Sequence, residues 1–445
     1  MMRKAINDYG MVFVLLGLGL VFSILTIKEQ VPDNDTAIAQ LMTRVRRDCK
    51  AEDVIVVAGA ARKDSAEFAG KMAAQLTREG FKDARVVVGI PSDLRALLDE
   101  LQSRGTNPAV LIAGRDVMKW RVLDHLPTQY PAFAACKIMT PATRLWPDFL
   151  KPSNLLAIVD RIVVIAVIAI GMTMVIIAGG IDLSVGSLIA VSAVLGSLVM
   201  KQLGGLEAPA WVVPVGFMVG IAACGMVGGL GGWLVAKFNV APFITTLAIM
   251  MVGRGLAFMI TGGFSIYQVP KALPWLGQGR SLVAPNTVIL VLVLYALAHV
   301  FMSHTRMGRY IYAVGGNKEA ARLSGVPVFF VTIFVYVMSS LAAGLGGCIQ
   351  ASQINTGTPN MGMMYELYVI AAVVVGGTSL AGGSGKMLGT LIGAFIISVI
   401  QNGMNLVGID SYTQQVVLGA VILGAVLLDK ARNSGGMAAL LRRKA

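Results

Sequence analysis

Charge is scarce in this chain. Only 14% of its 445 residues are Asp, Glu, Lys or Arg, 56% are hydrophobic and the mean hydropathy is +0.73. These values lie outside the soluble globular range and indicate a polytopic membrane protein. Acid is scarcer than base, 24 residues against 37. The resulting net charge of +13 fits basic loops held on the cytoplasmic side of a membrane better than it fits a nucleic-acid partner, which is not expected. Histidine is nearly missing: in the polar stretch from Lys28 to Lys151, His125 stands alone, which leaves neither a triad nor a zinc set. Cys49 and Cys136 could pair if that stretch is exported, but two thiols 87 positions apart are not a disulfide framework. Whether they pair stays open.

Nucleotide motifs are missing too. VVAGAARKDS, after the first apolar run of the polar stretch, has no G-x-G-x-x-G for close approach to a pyrophosphate. LAGGSGKM (380–387) contains G-S-G-K, yet a phosphate-cradling loop needs Gly where Leu380 stands and Ser or Thr where Met387 stands. No ATPase site, no metal and no bound cofactor are expected in this chain, which is therefore not read as an enzyme.

Long charge-free runs are abundant. They cover 11–27, 155–181, 183–200, 208–236, 240–261, 283–302, 327–350, 366–379, 387–403 and 411–428, and such runs can cross roughly 30 Å of hydrocarbon. The 51 glycines fit close helix packing. With the first helix starting inside, Arg3, Lys4, Lys237, Arg306, Arg309, Lys318, Arg322, Lys386, Lys430 and the basic tail fall on the cytoplasmic side, and only Lys201, Lys271 and Arg280 outside. Arg161 and Arg254 lie within spans and are set aside. Both termini are then cytoplasmic. The first run lacks a small-residue cleavage site after Ile27 and is kept as a helix.

Residues 28–151 are different material, with 19 basic and 16 acidic residues and no span. DVIVVAGA (53–60), ARVVVGI (84–90) and AVLIAG (109–114) read as strands, and the segments between them have helical periodicity, opening at Ser or Asp and closing at Gly. Alternating strands and helices predict a small parallel-sheet α/β domain, extracytoplasmic in this layout. A docking or structural role suits it better than chemistry. The fold class is thus an all-α polytopic membrane protein of about ten transmembrane helices, some broken at glycines, with an inserted α/β domain. Its parts are a first helix (1–27), the insert (28–151), the membrane domain (152–430) and a basic tail (431–445).

IIAGGIDLSVGS (176–187) places Asp182 in the middle of hydrocarbon. A central Asp costs on the order of 3 kcal/mol on insertion scales, so it must face protein or water. Either Gly179 and Gly180 end one helix and Asp182 caps the next, or Asp182 and Ser184 line an aqueous path. GGTSLAGG repeats the pattern: Gly376, Gly377, Leu380 and Gly383 match Gly179, Gly180, Leu183 and Gly186 at identical offsets. Paired breaks of this kind mark the solute path in internally duplicated transporters. Candidate path residues are Asp182, Ser184, Glu366, Gln401, Asn402 and Asn405, which offer amides and few titratable groups to a neutral solute.

GMTMVIIAGGIDLSVGSLIA, VAKFNVAPFITTLAIMMVGRGLAFMITGG, TRMGRYIYAVGGNKEAARLSGV, VIAAVVVGGTSLAGGSGKMLGTLIGAFI and QNGMNLVGI resemble, in this order, the permease subunits of ribose, galactose, arabinose and xylose ABC importers. The resemblance covers most of 1–27 and 149–430. It implies a homo- or heterodimeric channel in the lipid of a bacterial plasma (inner) membrane, with a second permease subunit, a separate cytoplasmic ATPase that binds the ATP, and an extracytoplasmic sugar-binding protein. It also implies an ATPase-coupling element in RYIYAVGGNKEAARLSGV. There Glu319 to Leu323 would form a short helix after a Gly315–Gly316 turn, and Gly315, Gly316, Asn317, Glu319, Ala320, Ala321, Arg322, Leu323 and Gly325 are the coupling residues. The insert departs from the family, which usually has a short external loop there. Two alternatives from other classes are a membrane sensor whose insert binds the ligand and an ion-coupled secondary transporter; the latter has only Asp182 and Glu366 for coupling. The particular sugar is not readable.

Overall fold

The computed structural model describes residues 2–30, 35–281 and 284–433. The remainder of the basic tail, with Arg442, Arg443 and Lys444, lies outside the described residues. Two compact units divide the chain: Thr26–Asp148 forms one, and the residues up to Leu25 with those from Phe149 onward form the other. The chain begins with α1 (Met2–Leu25), β1 (Ile27–Gln30), α2 (Asp35–Asp48), β2 (Val54–Ala60), α3 (Lys63–Arg78), β3 (Asp83–Gly89), α4 (Pro91–Ser103) and β4 (Pro108–Ala113). Single turns α5 (Arg121–Asp124) and α6 (Leu126–Gln129), β5 (Lys137–Met139) and β6 (Arg144–Pro147) follow.

In the smaller unit four parallel strands run in the order β3-β2-β4-β5. The central strand β2 is apolar at successive residues because both of its faces are covered. Ile55 and Val57 pack with Leu41, Met72 and Leu76 on one side, and Val56 and Ala58 with Leu94, Leu98 and Phe133 on the other. Antiparallel pairing of β1 with β6, Lys28 opposite Trp146, brings the two ends of the unit together. Neither that strand pair nor the three-residue β5 has a pattern long enough to be read in the sequence. The unit closes at Asp148 and not at Lys151, because Phe149 stacks on Phe22 of α1 at 6.1 Å within the other unit. Cys49 and Cys136 are both free thiols.

The larger unit continues with α7 (Pro152–Ile177), α8 (Val185–Gln202), α9 (Val212–Phe238), α10 (Pro242–Thr261), the short α11 (Pro274–Gly277), and β7 (Arg280–Ser281) with β8 (Ala284–Pro285). Then come α12 (Asn286–His304), α13 (Arg306–Gly316), α14 (Lys318–Leu323), α15 (Val328–Ile354), α16 (Tyr365–Val375), α17 (Met387–Val407) and α18 (Ser411–Asn433). Among the described residues seven helices, α7 to α10, α12, α15 and α17, are long and apolar enough to cross a membrane; Gly10–Leu25, Tyr365–Val375 and Ser411–Leu427 are shorter apolar stretches. The expected span over 366–379 is corrected: α16 has 11 residues and reaches only about 16 Å, because it stops at Gly376.

Buried from Ile162 to Ile177, α7 is the centre of the unit. It runs antiparallel to α15, with Gly171 against Ser339 and Asp160 beside Gln353. It is also antiparallel to α17, with the Thr173 and Thr390 hydroxyls 2.8 Å apart and the Asn402 amide donating to Asn154. The glycine-rich 208–236 stretch is one helix, α9. Its Gly216 and Gly220 meet α8, and its Gly228 and Gly232 meet α15, so the small residues are a packing face.

Candidate functional site

Helix α7 ends at Ile177, and Gly179 turns the chain at φ +84°, where a side chain would be strained. The Asp182 carboxylate is 1% exposed. Its Oδ1 accepts from the Ser184 amide at 2.9 Å and the Ser184 hydroxyl at 2.6 Å, and its Oδ2 accepts from the Ser339 hydroxyl of α15 at 2.7 Å. Asp182 is therefore not the cap residue of α8. Ser184 holds that place, and Asp182 ties it to α15. The buried Tyr336 hydroxyl, without a hydrogen-bond partner among the described residues, lies against Gly180.

A second break follows α16, with Gly377 at φ +82° and Gly383 at φ +71°. A Cβ on Gly376 would overlap the Gly389 carbonyl of α17. Gly186 was expected to be a break and is not one: it sits in the first turn of α8, where a Cβ would overlap the Glu366 carboxylate. Its hydrogen side chain serves a close approach.

The two breaks touch. The Gly383 amide donates to the Ile177 carbonyl at 2.8 Å, and Gly382 lies against Gly179. Both meet the C-terminal turn of α13, where a Cβ on Gly315 would overlap the Ile177 carbonyl oxygen and where the Tyr312 hydroxyl donates to Gly385 at 2.8 Å. The expected Gly315–Gly316 turn is thus the last turn of a helix, kept helical because Gly315 is wedged between the breaks. Immediately after it, Asn317 caps α14 by accepting from the Ala320 amide at 2.9 Å. Ala321 faces inward, Glu319 and Arg322 pair on the surface at 2.7 Å, Leu323 is 84% exposed, and Gly325 at φ +83° ends the element.

The polar residues singled out from the sequence fall into two groups. Asp182, Ser184 and, across Gly186, Glu366 gather near the start of α8. Gln401, Asn402 and Asn405 lie toward the far end of α17. There Asn402 bonds Asn154 at 2.9 Å, and Asn405, exposed, accepts from Gln414 at 2.7 Å. Sequence reasoning passed over Arg254, whose guanidinium donates to the carbonyls of Pro359 (2.8 Å), Met361 (2.6 Å) and Gly186 (3.2 Å). An arginine in a span needs such partners, and that need was the available signal. Among the described residues no three His, Cys, Asp or Glu side chains gather as a metal set.

Seven helices long and apolar enough to cross a membrane, packed around two glycine breaks that touch, are the architecture of a multi-pass membrane protein. Residues 154–426 match the family described as branched-chain amino acid transport system / permease component, and the chain belongs to that family. The Thr26–Asp148 unit lies outside the matched stretch. The chain is similar to the ribose import permease protein of Escherichia coli (strain K12), 42% identical over 306 residues that make up 68% of this chain and 93% of the relative. It is 41% identical to the ribose import permease protein of Bacillus subtilis (strain 168) over 65% of this chain and 88% of the relative. It is 35% identical to the L-arabinose transport system permease protein of Escherichia coli (strain K12) over 67% and 87%. No solved structure matches the chain.

Proposed function

We propose that the chain is the permease subunit of an ABC importer that carries a monosaccharide across a bacterial inner membrane, with ATP hydrolysed on a separate cytoplasmic chain. A second permease subunit completes the path, and an extracytoplasmic sugar-binding protein delivers the solute. In this reading α14, with Glu319, Arg322 and exposed Leu323, seats in the ATPase. The termini share its cytoplasmic side, the long apolar helices cross the lipid, and the Thr26–Asp148 unit is extracytoplasmic.

The observation that carries the reading is the contact of both helix breaks with the turn of α13 that leads into α14. A shift of α14 on closure of the ATPase would press Gly315 on Ile177 and on the Gly382–Gly383 loop together, moving α7 and α16 as a pair and switching access to the path. Asp182 and Ser184 act here as the tether of the moving segment, and Glu366, Gln401, Asn402 and Asn405 stand as path residues. The chain itself binds no cofactor, and ATP belongs to the partner.

The test is recovery of the tagged full chain from native membranes in mild detergent. A two-domain ATPase should accompany it, and Leu323→Asp should lose that ATPase while leaving the chain in the membrane. Absence of any ATPase, under conditions that hold a known importer together, would overturn the proposal.

A further inference from the structure

At the end of α7 away from its break, four elements line an open cleft of about 480 Å³ formed by Asp160, Arg161, Gly277, Gln278, Gln353 and Tyr365, of which Asp160, Arg161 and Gln278 are exposed. That volume lies within the roughly 300–1,000 Å³ usual for small-ligand sites. Its lining carries two charged side chains, two amides and a phenol, although α7, α15 and α16, which form most of it, are among the most apolar helices of the chain.

Its frame is rigid. Gly277 packs on the backbone of Gln353, its amide donates to the Ser352 hydroxyl at 2.7 Å, and that hydroxyl donates to the Leu273 carbonyl. The Gln278 side-chain amide donates to the Gln353 carbonyl at 2.8 Å, and the Gln353 side-chain amide donates to the Asp160 carbonyl at 3.0 Å. Both amide nitrogens are thus engaged with the backbone, and both amide oxygens remain as oriented acceptors. The Tyr365 hydroxyl accepts from Gln350 at 3.4 Å and keeps its own proton to donate. Among the described residues neither the Asp160 carboxylate nor the Arg161 guanidinium has a hydrogen bond or an ion pair, although they are neighbours in sequence.

A cleft that offers a carboxylate, two amide oxygens, a guanidinium fork and a phenol, with one charge of each sign, matches a neutral molecule carrying several hydroxyls. The carboxylate and amide oxygens accept from hydroxyls, and the guanidinium and phenol donate to hydroxyl or ring oxygens. An anionic solute would meet Asp160 and a cationic one Arg161. We propose that this cleft is a binding site for a neutral monosaccharide on its way through the membrane. The proposal deepens the importer reading and rests on it. The same helices join the cleft to the breaks: α16 opens on the cleft at Tyr365 and ends at Gly376, while α7 and α15 carry Asp160 and Gln353 at one end and the Asp182 tether at the other. Movement at the breaks would therefore reshape the site.

The experiment uses the full chain with its ATPase partner. Uptake of radiolabelled D-ribose and L-arabinose is measured for the parent and for Asp160→Asn, Arg161→Gln and Gln353→Leu. In parallel, Gln353→Cys in nanodiscs is labelled with a maleimide with and without each sugar, against the labelling of the native cysteines in the parent chain. Each of the three variants should raise the uptake KM roughly tenfold, the scale of one lost hydrogen bond, and sugar should slow labelling at position 353. Import by the parent, with variant KM values within about twofold of it and labelling insensitive to sugar, would overturn the site and leave the importer reading standing. Protection of position 353 by one of these sugars, with no import of that same sugar while the ATPase partner is present and active, would support the site as a sugar pocket and overturn the importer reading.

Discussion

The amide of Gly383 donates to the carbonyl of Ile177 across 2.8 Å, so the loop after α16 closes on the last residue of α7. Residues more than 200 positions apart are made into one joint, and the joint is backbone to backbone. Gly315 and Gly382 leave no room there for a Cβ, whereas Gly179 and Gly377 serve the joint through their positive φ.

Substitution at that joint should separate two adjacent glycines. Gly315→Ala places a methyl group on the Ile177 carbonyl and should destabilise the chain by about 1–3 kcal/mol, with sugar uptake lost. Gly316→Ala enters open space and, being helical, should leave the melting temperature in detergent unchanged or slightly higher. A thermal melt and an uptake assay on both variants would show whether the wedge or mere flexibility is what counts.

Asp182→Ala leaves the Ser184 and Ser339 donors without an acceptor in a buried place. Each orphaned donor costs about 1–3 kcal/mol, so this variant should melt well below the parent. Ser339→Ala removes one bond and leaves Asp182 held by Ser184, so its loss should be smaller. Equal melting of Ser339→Ala and Asp182→Ala would mean that the tether to α15 carries the whole effect.

Arg254 holds three carbonyls to which, among the described residues, no other side chain donates. Arg254→Met keeps the stem and removes the donors; amide hydrogen exchange over 355–364 should then rise, with a loss of about 1–3 kcal/mol per orphaned carbonyl as the upper scale. Arg254→Lys should rescue only part, because one ammonium cannot reproduce the guanidinium fork.

Alkali should loosen the smaller unit. Burial, then the hydrogen bond to Asp99 at 2.6 Å, pushes the Tyr130 phenol up to about 12, and burial pushes the Cys136 thiol up to about 11. Both folded values lie above the ordinary ones, so the stabilisation is complete below about pH 9 and is lost as pH rises through 11 and 12. Tyr130→Phe keeps the ring and removes one ionisation. Limited proteolysis of the full chain within residues 26–148, followed from pH 9 to 12, should therefore show the variant resisting longer than the parent.

Local chemistry was legible in the sequence because its causes are local. Hydropathy marked the apolar helices, alternating β-branched runs marked β2 to β4, and Asn317 followed by KEAARL marked a capped short helix. The acid at Asp182 announced a buried partner without naming it. Only tertiary structure could assign Ser339 to it, 157 residues away, since a hydrogen bond is satisfied by whichever hydroxyl the packing brings near. The same limit applies to glycine: Gly179 and Gly186 stand alike in GGIDLSVG, yet one turns the chain at positive φ and the other lies in a helix to admit Glu366. Arg161 reads in the sequence as a charge within a span, and only the convergence of α7, α11, α15 and α16 gives it a cleft to face. Composition and periodicity determine which segments become helices and which must avoid lipid. Which faces meet, and so which polar groups are shared, is decided by packing across the whole chain.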